Sequence, residues 1–263
     1  TDKTGTLTCN EMVLKHLVIE GETYLNCKDS RLKKLEVDLS SGEDLFLTML
    51  SICHTVMIDN SDSENPCFQG SSPDELAMVE TASELGYKFL DRSSETITIN
   101  SKGATIRIKI FAVIEFTSTR KRMSILAKFP DDQYYIMCKG ADSIILEILN
   151  SEEKVGLNLI KSLNILEKFA SEGLRTLCFA YRKLEESEAL AWLSDWHDAL
   201  NTVTGRQDMV DSVAGMIEKD LVFLGATGVE DRLQDKVPET VETLIKANIK
   251  VWMLTGDRYE TGI

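Results

Sequence analysis

The chain has 263 residues, with 29 basic and 43 acidic side chains for a net charge of −14, and 43% of it is hydrophobic. That size and composition belong to a globular protein of one large or two modest domains, and exclude a disordered or fibrous chain. The averaged negative field argues against nucleic acid as a partner, so any anionic ligand has to be held by local basic residues.

Cys9, Cys27, Cys53, Cys67, Cys138 and Cys178 form no C-x-x-C pair, which points to reduced thiols rather than a zinc site or a disulfide framework. No apolar run reaches the roughly 18 residues of a membrane-spanning helix, and no secretory leader pattern is present. Because the chain begins at Thr1 rather than Met, we expect it to be an internal portion of a longer protein.

In chain order, the segment Asp2-Lys3-Thr4-Gly5-Thr6-Leu7-Thr8 comes first, and it is answered at the far end by Thr255-Gly256-Asp257. If both belong to one site, everything between them is an insertion. Ser72-Pro73-Asp74-Glu75 predicts a helix start. Ser72 suits the cap and Pro73 the first helical position, Glu75 completes a capping box ahead of Leu76, Val79 and Ala82, and Gly86 stops the helix. Thr96 to Ile99 and Ile106 to Ile110 alternate around Asn100-Ser101-Lys102-Gly103 and predict a β-hairpin. Met123 to Phe129 and Tyr134 to Cys138, flanking Pro130 to Gln133, predict another.

Ile144 to Leu149 and Leu157 to Phe169 carry helical periodicity, ended by Gly173, and Leu174 to Tyr181 reads as a buried strand. Trp192 and Trp196, four apart, are expected to bury one face of a helix. His16, His54 and His197 share no ligand spacing and read as structural or solvent-exposed. Strands joined by hairpins imply an α/β fold whose sheet is mostly antiparallel and flanked by helices. In the tail, Leu221 to Gly225, Pro238 to Ala247 and Ile249 to Leu254 predict a β-α-β unit with a parallel sheet.

The end segments have the chemistry for attack on phosphorus. A carboxylate such as Asp2 can form an acyl phosphate when cations and donors beside it offset the transferring charge, and Lys3 and the threonines supply them. Thr255-Gly256-Asp257 follows an apolar predicted strand, at the carboxyl end where parallel sheets place ligands, although a lone Thr-Gly-Asp is more often a turn. No G-x-x-x-x-G-K-[ST] string occurs, so a nucleotide is not held by a P-loop. Phe116-Thr117-Ser118-Thr119-Arg120-Lys121-Arg122-Met123-Ser124 instead puts an aromatic face ahead of three consecutive cations. Phe116 and Ser118, two apart on a segment read as extended, project from one face and can meet base and phosphate together. In isolation such a run reads as a core phenylalanine and a solvated basic turn.

The seven-residue DKTGTLT string resembles the signature of P-type ATPases, which are similar in fold to the haloacid-dehalogenase phosphotransferases. Lys139-Gly140-Ala141, Gly173-Leu174-Arg175-Thr176, Glu230 to Asp235 and Thr255-Gly256-Asp257 follow in that family's order. The resemblance implies that Asp2 is the phosphorylated aspartate and a Mg2+ ligand, that Lys3 binds phosphate, and that Thr4 ligates Mg2+ through its carbonyl. Thr255, Gly256 and Asp257 would form the second phosphate-binding loop. For ATP it implies Phe116 stacking on adenine, with Ser118 beside it and Glu75 as an acidic contact. Lys121 and Lys139 become the site lysines, and Arg175, followed by Thr176, reaches the phosphates. Residues 1–13 and 227–263 are then expected to be pieces of a Rossmann-like phosphorylation domain, with 14–226 an inserted nucleotide-binding domain. The family's Gly-Asp-Gly-x-Asn-Asp segment would lie beyond Ile263.

Ser71 to Glu75, Glu115 to Ser124 and Val229 to Thr240 are similar to the type IV group, the phospholipid flippases; Arg232-Leu233 stands where cation pumps carry Pro-Pro. This implies ATP hydrolysis through an aspartyl-phosphate, coupled to phospholipid translocation by a membrane domain with an accessory subunit. The present portion would sit on the cytoplasmic face, binding ATP without turning it over alone. A cation pump, or a nucleotide-binding module without phosphotransfer, are the alternatives.

Overall fold

Nine strands join in one sheet in the computed structural model, which describes residues 1–25, 41–59 and 67–253. They are β1 (Thr8–Ile19), β2 (Glu22–Leu25), β5 (Tyr87–Arg92), β6 (Thr96–Ser101), β7 (Ala104–Ile114), β8 (Arg122–Lys128), β9 (Tyr134–Gly140), β10 (Arg175–Leu184) and β11 (Val222–Leu233). The spatial order is β2-β1-β11-β10-β9-β8-β7-β6-β5, and every neighbouring pair is antiparallel. Two short strands, β3 (Met57–Asp59) and β4 (Cys67–Gln69), pair separately. The helices among the described residues are α1 (Gly42–Ile52), α2 (Pro73–Glu84), α3 (Asp142–Ile148), α4 (Leu157–Ser171), α5 (Glu186–Asn201), α6 (Arg206–Ile217) and α7 (Val237–Lys246). None is long and apolar enough to cross a membrane.

Local chemistry explains the elements that the sequence marks most clearly. The β6–β7 turn sits at Lys102 and Gly103, with φ of +48° and +97°, the left-handed pair of a tight hairpin turn, and Asn100 Oδ1 accepts from the Gly103 N–H at 2.8 Å. Pro73 opens α2 as expected, and Ser72 Oγ accepts from the Glu75 N–H at 3.4 Å. The reciprocal half of the capping box does not form, because the Glu75 carboxylate turns away to other partners.

Helices cover both faces of the central strands. On one, Phe46 and Leu50 of α1 and Met78 and Val79 of α2 pack with Leu17, Ile125, Met137 and Phe179. On the other, Phe169 of α4, Trp192 and Trp196 of α5 and Ile217 of α6 pack with Val18, Leu126, Ile136 and Cys178. All seven residues of β9 are buried; the two clusters account for the apolar run Tyr134 to Cys138, while Lys139 is buried in its pair with Glu75. The two tryptophan rings stack at 5.2 Å, and Trp192 Nε1 donates to the Val213 carbonyl at 2.8 Å, fixing α5 on α6.

The tail departs from expectation. β11 continues to Leu233 and lies antiparallel between β1 and β10, with both edges hydrogen-bonded over Gly225 to Val229, and both of its strand partners are antiparallel. Residues 249–253 form no strand, and α7 buries none of its residues. Of the predicted parallel β-α-β unit, the first strand forms as the start of antiparallel β11 and the helix forms as α7, but residues 249–253 supply no parallel partner, and Leu254 lies outside the described residues. The chain start nevertheless meets this tail, because the Thr1 ammonium donates to the Trp252 carbonyl at 2.7 Å.

Candidate functional site

At one end of the sheet the segment after β7, the start of β8, the end of β9 and the start of β10 converge with the first turn of α2. They enclose a cavity of about 700 Å3. Among the residues singled out in the sequence, Glu75, Phe116, Lys139, Arg175 and Thr176 line it. Met78, Met123, Leu177 and Val229 give it an apolar side, and Thr55, Ser71, Ser72 and Asp74 a polar one.

Lys139 and Glu75 are both buried, and Lys139 Nζ donates to Glu75 Oε1 at 2.7 Å. Glu75 Oε2 accepts from the N–H and the hydroxyl of Thr55, each at 2.8 Å. Burial alone would push the Glu75 carboxyl up, but Lys139 and the Thr55 bonds outweigh it and hold the group below its ordinary range. Next to Thr55, His54 is buried with both ring nitrogens engaged. Nε2 lies 2.8 Å from the Ser51 carbonyl, and Nδ1 lies 3.1 Å from the Val56 N–H. Only the neutral ring with its proton on Nε2 satisfies both partners. Burial, with Lys139 close by, pushes His54 down to about 3.

Arg175 ties this cavity to the first motif. Its Nη2 donates to Thr4 Oγ1 at 3.4 Å and lies 3.7 Å from Asp231 Oδ2, while Nη1 lies 3.8 Å from Asp74 Oδ2. Asp231 accepts no hydrogen bond at either buried carboxylate oxygen, so Arg175 is its counter-charge. Burial pushes the Asp74 carboxyl up, against the opposing pull of Arg175 and Lys139. Asp2 itself is exposed, with Oδ1 accepting from the Lys3 N–H at 2.8 Å, and the Lys3 carbonyl closes the following turn by accepting from the N–H groups of Thr6, Leu7 and Thr8. No three His, Cys, Asp or Glu side chains cluster as a metal centre among the described residues.

The Phe116 segment is a turn and not the extended run that the sequence suggested. Thr117 Oγ1 accepts from the Arg120 N–H at 3.1 Å, and the Thr117 carbonyl accepts from the Lys121 N–H at 2.8 Å. These local bonds curl the chain, so Phe116 stays at the cavity while Ser118 and Lys121 are exposed and do not line it. Nor do the three cations act together. Arg120 and Arg122 both bind the buried carboxylate of Glu218, leaving Lys121 outside that cluster.

Thr255, Gly256 and Asp257 lie outside the described residues. Of the cavity and its surroundings, Asp74 and Asp231 were legible only as members of motifs quoted for other residues. Thr55, Met78 and Leu177 carried no signal of their own as site residues, since Met78 and Leu177 read only as parts of a helix and a buried strand.

Residues 44–236 match the family model described as P-type ATPase, cytoplasmic domain N. The chain is 41% identical over 288 aligned residues to Phospholipid-transporting ATPase DRS2 of Saccharomyces cerevisiae, covering 100% of the chain and 21% of that relative. It is 39% identical over 290 residues to Phospholipid-transporting ATPase IC of Homo sapiens, covering 99% and 23%. Against Phospholipid-transporting ATPase C887.12 of Schizosaccharomyces pombe the identity is 40% over 285 residues, covering 100% and 22%. The chain thus spans less than a quarter of the length of these relatives. A family match across most of the chain, in agreement with its motifs, shows that this chain belongs to the type IV P-type ATPases and carries their cytoplasmic domain N.

Proposed function

We propose that the cavity binds ATP, with adenine against Phe116, Glu75 near the base, and Lys139, Arg175 and Thr176 toward the phosphates. Ser118 and Lys121 would join only if the exposed turn folds inward. The observation that carries this reading is Arg175, which lines the cavity and at the same time reaches Thr4, two residues beyond the aspartate of the DKTGTLT string. A γ-phosphate held by Arg175 is thereby directed toward the segment that bears Asp2. In this reading residues 1–13 and 227–263 belong to the phosphorylation domain and 14–226 to the nucleotide-binding domain. The two boundaries fall within β1 and β11, which pair with each other.

Asp2 is the acceptor of the phosphoryl group, with Lys3 offsetting its charge and Thr255, Gly256 and Asp257 completing the phosphate site. The Asp2 carboxylate and Thr4 carbonyl are hard oxygen donors on an exposed turn. They fit Mg2+, which takes few ligands from protein and the rest from phosphate and water. When bound, Mg2+ neutralises phosphate charge. As part of a longer protein the chain would couple this phosphorylation to phospholipid translocation in a membrane domain that binds an accessory subunit.

The direct test is calorimetric titration of the 263-residue chain with ATP. Stacking on an aromatic face contributes about 1 to 3 kcal/mol, so Phe116→Ala should weaken binding about tenfold. A folded Phe116→Ala variant with an unchanged titration curve removes Phe116 from the site.

A further inference from the structure

Phe116 is 61% exposed, so packing does little to aim its ring, and its direction has to come from the turn that carries it. That turn is held from a distant point in the chain. Glu218, just after α6, is 1% exposed, and its carboxylate is shared by three donors. Arg120 Nη2 donates to Oε1, Ser124 Oγ donates to the same oxygen at 2.5 Å, and Arg122 Nε donates to Oε2 at 2.8 Å.

Each arginine leads to the cavity. Arg120 is a two-ended brace: with one nitrogen on Glu218, its Nη1 donates to the Glu115 carbonyl at 3.1 Å, the peptide that runs directly into Phe116. Arg122 opens β8, and the next residue, Met123, lines the cavity and pairs with Lys139 in β9. A buried ionic cluster is a poor source of stability, since apolar residues of the same volume often serve as well; its distinctive contribution is to select one arrangement of the groups it joins.

We propose that Glu218 is a positioning residue for nucleotide binding, which by bracing Arg120 and Arg122 holds the Phe116 turn in its ligand-ready place. The inference rests on the nucleotide reading above and adds to it a residue that never touches the nucleotide.

The test uses the 263-residue chain with Glu218→Gln, and with Arg120→Lys as a second variant that keeps the charge but cannot grip Glu218 and Glu115 together. In both, amide hydrogen exchange over residues 115–121 should quicken by about tenfold or more while α2 keeps its protection. ATP affinity should fall by up to about tenfold, the share that Phe116 stacking contributes, whereas inorganic tripolyphosphate should bind as it does to the wild type. Adding Phe116→Ala to Glu218→Gln should then cost less than about twofold more than Phe116→Ala alone, because both changes remove one contact. Unchanged exchange in the turn overturns the inference, and so do multiplicative losses or an equal loss of tripolyphosphate binding, which mark a merely structural role. A wild-type chain that binds no ATP overturns the nucleotide reading instead, and the exchange result still decides whether Glu218 holds the turn.

Discussion

Lys139 Nζ donates to Glu75 Oε1 at 2.7 Å, which joins the end of β9 to the first turn of α2 at the cavity wall. Both side chains are nearly buried, so removing one partner strands the other's charge. Lys139→Met should destabilise the chain by about 3 kcal/mol, the low end for a broken buried pair, because the open cavity admits some water to Glu75. Adding Glu75→Gln should recover part of that loss. Urea unfolding of the two single variants and the double measures it, and purely additive losses would show that the pair is not coupled.

Gly140, the last residue of β9, faces the first residue of β8 at very close range. A Cβ on it would stand 2.7 Å from both Arg122 Cβ and the Lys121 carbonyl. The strands cannot keep their spacing around that methyl group, so Gly140→Ala should cost about 1 to 3 kcal/mol and pull Lys139 out of line. Thermal unfolding and ATP titration should both register the change. Wild-type values in both would mean that the strand pair gives way without cost.

The acid side of the stability curve should carry a His54 signature. An unfolded histidine titrates near 6.5, whereas burial, with Lys139 adding to it, pushes folded His54 down to about 3. Between these values the unfolded chain binds a proton that the folded one does not, so stability falls as pH falls. The loss at pH 5 should be on the order of 2 kcal/mol relative to pH 7. Urea unfolding against pH measures it, and the His54 ring resonances should stay flat over the same window. A ring that titrates near its ordinary value in the folded protein contradicts the buried neutral assignment.

ATP should bind without being consumed. Phosphoryl transfer depends on positioning and charge neutralisation, and the Asp2 side chain is exposed, with Oδ1 accepting from the Lys3 N–H. Incubation with Mg2+ and γ-labelled ATP, followed by an acid quench, should leave less than about one-tenth of the chains labelled, against the several orders of magnitude in rate that such positioning supplies. Stoichiometric label that disappears in Asp2→Asn would show a working phosphorylation site.

The hairpin between β6 and β7 and the start of α2 were legible in the sequence because their causes are local: an Asn, a Gly and a left-handed Lys for the turn, Ser72 and Pro73 for the cap. The DKTGTLT string was equally plain, since seven adjacent residues carry the whole signal. The strand arms Met123 to Phe129 and Tyr134 to Cys138 were legible as a hairpin, but not that β9 is buried on both faces. Only the tertiary structure decided where β11 goes. Its sequence reads the same beside a parallel partner as between β1 and β10, and the choice is made by hydrogen bonds to strands far away in the chain. The same holds for side-chain pairing. Local rules would give the Glu75 carboxylate to its own helix cap and the cations at Arg120 and Arg122 to solvent. Folding instead brings Lys139 and Glu218 within hydrogen-bond reach, and a carboxylate leaving water takes the charged partner that compensates it best.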